Sequence, residues 1–217
     1  MKSFISIAID GGAGSGKSTT AHNISSKFNF LNVDTGSHYR SITAYLIKHN
    51  ISEIVASKPE NLNKITLSSK IINNKSQIQI NGSSFSHSEL RSKEINLNVS
   101  RYSSIAAIRS TLFDYQKSQC ELARQNNFTG IVMEGRDIGT IILPDADLKL
   151  FLFANENVRN QRRREDGESD LIQKRDLLDS TRTIAPLSET KDSIKIDTSK
   201  LSPSEVVTQI SQLIESL

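Results

Sequence analysis

The chain has 217 residues, of which 36% are hydrophobic and 24% charged, with a net charge of +3. That is room for one soluble domain with small inserts, and Cys120, the single cysteine, excludes a disulfide-stapled scaffold. A surplus of +3 and 6% aromatic residues without tryptophan argue against a nucleic-acid binder, and no apolar run approaches the ~18 residues of a membrane span.

Residues 4–9 are a short apolar, β-branched run, as expected of a strand buried on both faces. Lys2 ahead of it mimics a signal peptide, but the run is too short and Asp10 ends it. Gly11-Gly12-Ala13-Gly14-Ser15-Gly16-Lys17-Ser18 follows, fitting the template of Gly, any four residues, then Gly-Lys-Ser/Thr. Such a loop wraps backbone N–H groups around a polyphosphate. Lys17 then reaches the β- and γ-phosphates, and the Ser18 hydroxyl holds Mg²⁺. Ala21, Ile24 and Phe28 continue at helical spacing, so a helix would aim its N-terminal dipole at those phosphates. A chance glycine-rich turn would lack this flanking strand and helix.

Residues 30–33 read as a second strand ending at Asp34-Thr35-Gly36, and a helix with Tyr39, Ile42 and Leu46 on one face follows. This βαβα order opens a parallel sheet, whose strand ends face the ligand crevice; Thr35 and Arg40 therefore fall near the phosphate loop. From about residue 65 the texture changes. Residues 66–72 and 77–80 are strand-like, with turns at Asn73-Asn74 and at Asn81-Gly82, the latter leading into 83–85. We expect a small inserted antiparallel β-subdomain over 63–99, against the plainer reading of a sheet-edge extension without a ligand role.

A long helix is expected over 104–127, with Ile105, Ile108, Leu112, Tyr115 and Leu122 as its buried stripe and Arg109 beside it. Cys120 on this helix is a packing residue, because no histidine near it in sequence would activate it. His22, His38, His49 and His87 are too scattered to make a metal site. Residues 131–133 form a third parallel strand ending in Glu134-Gly135-Arg136-Asp137, and 148–153 a fourth. Arg159, Arg162, Arg163 and Arg164 come next, then a polar segment over 165–170, then Arg175, Asp176, Asp179 and Arg182. Residues 193–196 are a fifth strand. Ser202-Pro203-Ser204-Glu205 opens the last helix with an N-cap serine, a proline at N1 and a glutamate at N3.

An arginine run is often only a solvated helix face. Here Arg40, Arg109, Arg136, Arg175 and Arg182 come from separate elements that face one sheet edge, and arginine's fork matches phosphate oxygens in pairs. That points to a second phosphate site beside the loop. A phosphate acceptor is already ionised near pH 7 and needs no general base, in keeping with the absence of any Ser–His–Asp or Cys–His arrangement. Catalysis would rest on positioning and charge neutralisation. Residues 162–175 are the candidate for an arginine-bearing lid that keeps water from the γ-phosphate.

Several stretches together resemble bacterial cytidylate (CMP) kinase. They are Ile7-Ala8-Ile9-Asp10-Gly11, Asp34-Thr35-Gly36-Ser37-His38-Tyr39-Arg40, Glu134-Gly135-Arg136-Asp137-Ile138-Gly139-Thr140 and Leu143-Pro144-Asp145-Ala146. Lys174-Arg175-Asp176 through Asp179-Ser180-Thr181-Arg182, and Ala185-Pro186-Leu187, belong with them. The resemblance covers nearly the whole chain in order. It implies a P-loop fold with a five-stranded parallel sheet flanked by helices, a nucleoside-monophosphate-binding β insert at 63–99 and a short lid. It also implies transfer of the ATP γ-phosphoryl group to CMP or dCMP with Mg²⁺; a monomer is expected, and the single cysteine makes a reducing, cytoplasmic setting the default.

Carried over by position, Gly11, Gly12, Ala13, Gly14, Ser15, Gly16, Lys17, Ser18 and Thr19 would hold ATP. Ser100, Arg109 and Asp137 would face the cytosine, Arg175 and Asp179 the sugar, and Arg40, Arg136 and Arg182 the acceptor phosphate, with Thr35 in the same site. Arg162 and Arg163 match lid arginines that close on the ATP phosphates. The catalytic set implied is Lys17, Arg136, Arg163 and Arg182, with Ser18 on the metal. Three departures stand out: Gly12 replaces a usual proline, His38 replaces a common apolar residue, and the segment between Arg164 and Lys174 is short.

The nearest rival is a kinase of the same fold for UMP or a small metabolite, against which the insert and Asp137 argue. A GTPase-like switch would need Asp-x-x-Gly and Asn-Lys-x-Asp, and the sequence has neither.

Overall fold

The structure is a computed structural model that describes residues 2–167 and 172–217, and the side chains of Lys174 and Arg175 lie outside that description. Residues 168–171 of the expected lid lie outside it too.

Strand β1 (Ile5–Asp10) leads through the glycine loop into α1 (Lys17–Phe28), and β2 (Phe30–Asp34) runs directly into α2 (Thr35–Lys48). Asp34 ends the strand and caps the helix at once, its carboxylate accepting from the Ser37 N–H at 3.0 Å. A short α3 (Glu53–Ala56) leads to the hairpin β3 (Leu67–Ile72) and β4 (Lys75–Ile80). Asn73 and Asn74, both at positive φ, make the hairpin turn.

Next come α4 (His87–Leu90), α5 (Lys93–Ser103) and α6 (Ala106–Gln125), then β5 (Gly130–Gly135) and a π-helical turn over Ile138–Ile142. The remaining elements are β6 (Leu148–Phe153), α7 (Glu156–Glu165), α8 (Ile172–Thr181), β7 (Ile194–Asp197) and α9 (Pro203–Glu215). The cap of α9 forms as its sequence requires, with Ser202 and Glu205 satisfying each other's backbone N–H groups.

Among the described residues the strands form one sheet in the order β3-β4-β2-β5-β1-β6-β7. The five expected parallel strands lie side by side, and the sheet is wider than the sequence implied. β4 pairs parallel to β2 at Asn32↔Lys75 and Val33↔Ser76, and β3 closes the edge antiparallel to β4. The hairpin within 63–99 therefore extends the main sheet. Residues 83–85 are not a strand but leave a tight turn with a single bridge between Ile80 and Ser83.

The helix expected over 104–127 is α6, and a second helix, α5, that was not expected precedes it. Ile105 is extended (φ −74°, ψ 121°) between α5 and α6. Helix α5 escaped the sequence reading because Asn, Ser and Val dilute its helix propensity. It forms because Ser92 caps it and Ile95, Val99 and Tyr102 bury one stripe.

Two clusters pack on the β1 half of the sheet, one of them joining α1 and α9 to β1 and β6. A third joins α2, α5, α6 and the hairpin. The boundary between these halves runs along the C-terminal ends of β1, β2 and β5, where an open parallel sheet offers its ligand crevice.

Candidate active site

The phosphate loop sits at that boundary. Gly14 and Gly16 take φ of 71° and 88°, and no side chain caps the N-terminus of α1. Lys17 is buried against the loop, its Nζ donating to the Gly12 carbonyl at 2.8 Å, and the Ser15 hydroxyl donates to the same oxygen at 3.0 Å. A loop with its carbonyls engaged this way and a free helix N-terminus beyond it is an anion cradle.

Three carboxylates close the floor. Asp10 accepts from the N–H groups of Ile138 and Gly139, each at 2.8 Å, which pins the turn after β5 to the loop entrance; burial raises its pKa to about 6. Glu134 accepts from the Ser18 hydroxyl at 3.0 Å. Burial, with Asp34 nearby, raises Glu134 to about 7. An accessible hydroxyl beside a buried carboxylate is a hard-oxygen donor set, and a divalent cation there would offset the burial of the charge. The residues present fit Mg²⁺.

On the inner side, one cleft is lined by Ala13, Gly14, Lys17 and Ser18 from the loop together with Thr35, Arg40, Ser100, Arg136, Asp137, Asp179 and Arg182. Parts of the chain far apart in sequence meet here because α2, β5, α5 and α8 all end or lie at the same sheet edge. Asp137 is ion-paired with Arg109, and its other oxygen faces Arg182 Nη2 at 3.4 Å. Burial outweighs those arginines and leaves the Asp137 pKa above the usual carboxylate value. Arg136 donates through Nε to Asp179 at 2.9 Å. Arg40 donates to the Leu90 carbonyl and to Asn96 Oδ1, both at 2.7 Å, and Thr35 donates to the Glu134 carbonyl at 2.8 Å. Arg109 stands behind Asp137 rather than on the cleft wall, with Tyr39 beneath its guanidinium at 5.1 Å.

The outer cleft is lined by Gly14, Ser15, Gly16, Lys17, Ser18 and Thr19, with Arg162, Arg163 and Thr198 across from them. Helix α7 turns Arg163 inward and buried while Arg164 is exposed, so the arginine run is only partly a solvated face. Arg162 is held outside the loop, donating to the Thr198 carbonyl at 2.7 Å and to the Gly14 carbonyl at 3.3 Å. Gly11 and Gly12 lie on neither wall.

Several groups at the site carry little signal in their local sequence. Arg91, at the end of α4, lines both clefts, and nothing in its local sequence marks it. Glu134 was legible as a strand end but not as the partner of Ser18. Thr198 immediately follows β7, and the strand-end rule applied to that strand would have found it. Cys120 is partly buried in α6, which holds its thiol above the ordinary range, as suits a packing residue. His38 is fully buried, its ring edge-on to Tyr115.

The sequence profile of the family described as Cytidylate kinase matches residues 7–216. The chain belongs to the cytidylate kinase family. This kinase is 39% identical to the cytidylate kinase of Clostridium tetani over 221 residues, spanning 97% of this chain and 93% of that one. It is 38% identical to the cytidylate kinase of Onion yellows phytoplasma, over 99% of this chain and 97% of that one. An uncharacterized protein from Eubacterium ventriosum has a similar structure, with a TM-score of 0.52 at 13% identity over 98% of this chain and 99% of that one, which speaks for the fold alone. The chain is a phosphotransferase of the cytidylate kinase class. Among its described residues no helix is long and apolar enough to cross a membrane.

Proposed function

We propose that this kinase binds ATP in the outer cleft and CMP or dCMP in the inner one. It then transfers the γ-phosphoryl group directly and in line to the acceptor phosphate. The observation that carries this reading is that the two clefts share Gly14, Lys17, Ser18, Arg91 and Arg163 as common wall. A donor phosphate and an acceptor phosphate placed on the two sides of that wall would meet over the Lys17 ammonium.

In this reading the loop from Gly11 to Thr19 cradles the donor phosphates with backbone N–H groups, and Lys17 neutralises charge spreading over the transferring oxygens. Ser18, with Glu134 beside it, would hold Mg²⁺, which would supply charge neutralisation on the donor side. Arg40, Arg136 and Arg182 fix the acceptor phosphate by paired N–H donors. Asp179 and Arg175 serve the sugar, although the Arg175 side chain lies outside the described residues. Ser100, Asp137 and, through Asp137, Arg109 read the cytosine. Arg162 and Arg163, at the start of a lid over 162–175, close on the donor side and exclude water. From the segment at 63–99, Arg91 and Val99 contribute to the wall of the acceptor site. The acceptor oxygen is already ionised, so no side chain need remove a proton. Each chain carries both clefts, so a monomer suffices.

A coupled assay with ATP and a panel of CMP, dCMP and UMP tests the reading. Turnover with the cytidine nucleotides that requires Mg²⁺ is expected. UMP used within tenfold of CMP would overturn the cytosine assignment.

A further inference from the structure

The phosphate loop is held from behind by an ion pair that its motif does not contain. Arg159, in the first turn of α7, pairs with Asp176 of α8, and the two side chains grip Ala13 between them. The Ala13 N–H donates to Asp176 Oδ1 at 3.2 Å, and Arg159 Nη1 donates to the Ala13 carbonyl at 3.2 Å. Both backbone groups of one loop residue are thus fixed by two charged side chains that are themselves paired.

The fit depends on Gly12. A Cβ at that position would stand 2.8 Å from Arg159 Nη1 and 3.2 Å from Asp176 Oδ2, so any side chain there would push into the pair. The backbone of Arg159 also packs on the loop, since a Cβ at Gly14 would meet the Arg159 carbonyl oxygen at 2.8 Å. Glycine at 12 gives up local stiffness in the loop, and the ion pair restores it from outside.

We infer that the Arg159–Asp176 pair is a positioning brace for the donor site, seated in the space that Gly12 leaves. It sets the shape of the phosphate cradle without touching the substrate. Pulling Ala13 outward by both its carbonyl and its N–H keeps the following stretch, Gly14 to Ser18, curled toward the phosphates. Asp176 lies one turn before Asp179, whose carboxylate meets Arg136 in the inner cleft. Helix α8 therefore carries one carboxylate that braces the phosphate loop and one that meets Arg136 in the inner cleft.

This inference rests on the loop being the donor site, as proposed above. The test is steady-state kinetics with both substrates varied, together with direct titration of ATP binding, on Asp176→Asn, Arg159→Gln, Gly12→Ala and the double variant Gly12→Ala/Asp176→Asn. Each single variant is expected to raise KM for ATP about tenfold, with KM for CMP within twofold and kcat within about threefold of wild type. The double variant is expected to be no worse than either single one, because all act through one device. Equal changes in both KM values, unchanged KM for ATP, or multiplicative defects in the double variant would each overturn the brace. Lys17→Met in the same titration separates the two readings. If it binds ATP as wild type does, the loop is not the donor site; if it loses ATP while Asp176→Asn keeps full affinity, the donor site stands and the brace does not.

Discussion

The two sides of the site are built by opposite means. On the proposed reading the donor side rests on one contiguous stretch, 11–19, with its backbone N–H groups and Lys17, faced across the cleft by Arg162 and Arg163. The acceptor side is assembled from side chains on α2, β5, α5, α6 and α8, and its charges are already paired with one another: Asp137 with Arg109 and Arg182, and Arg136 with Asp179. A backbone cradle asks little of any one side chain beyond its lysine. A network of buried ions is interdependent, because removing one member leaves another buried without its counter-charge. Donor-side substitutions should therefore cost rate and leave stability alone, while acceptor-side substitutions should cost both.

Lys17→Met gives the largest expected effect. It removes the transition-state cation and should lower kcat by roughly 10²–10³ or more, while the melting temperature stays close to wild type. A variant that keeps half of wild-type turnover would break the donor half of the comparison.

Asp137→Asn comes next and probes the other half. An ionised Asp137 can only accept hydrogen bonds, so it would pair with the 4-amino group of CMP and oppose the 4-oxo group of UMP. Wild type should prefer CMP by about 10²–10⁴ in kcat/KM. The amide can flip and donate, which should narrow that ratio tenfold or more and lower CMP efficiency. It also deprives Arg109 and Arg182 of their counter-ion, so thermal unfolding should come several degrees earlier. A ratio that does not move shows that Asp137 does not read the base.

Arg182→Lys sharpens the same contrast with a smaller change. Arg182 faces Asp137 while its Nε donates to the Ala185 carbonyl at 2.6 Å, and an ammonium cannot serve both directions and a phosphate as well. About a tenfold loss in kcat/KM for CMP is expected, with KM for ATP little changed. Wild-type behaviour at limiting CMP would leave this arginine as a structural partner of Asp137 alone.

The smallest effect concerns stability and pH. His38 sits under the acceptor side on α2, and burial lowers its pKa from 6.5 to about 4; Asp34 opposes that shift and Lys75 adds to it. Neither ring nitrogen has a hydrogen-bond partner among the described residues. Between about pH 6.5 and 4 the unfolded chain takes up the proton and the folded chain does not. Stability from this residue is therefore present above pH 6.5 and lost as the pH falls toward 4. His38→Leu should recover roughly 2–3 kcal/mol near pH 4 and leave kcat at pH 7.5 nearly unchanged. Melting curves of both proteins from pH 4 to 8 check this; a constant difference across the range would remove His38 from the acid limb.

The sequence by itself determined what depends on neighbours in the chain. The glycine loop, the Asp34 and Ser202 caps, the five parallel strands and the Asn73-Asn74 turn are set by local sterics and by apolar periodicity, so their residues announce them. Arg182 was legible as one of the arginines gathered at one sheet edge, whereas the part of Asp137 in facing the base came only through the resemblance. Only the tertiary structure decided which charges face each other. Arg91, Glu134 against Ser18, and the Arg159–Asp176 grip on Ala13 arise where helices and strand ends distant in sequence converge. The continuation of the sheet into the hairpin was decided there as well, since the pairing of β4 with β2 rests on two residue pairs and on burial that no local pattern records. Pair energies between ions depend on separation and burial, and both are properties of the packed chain.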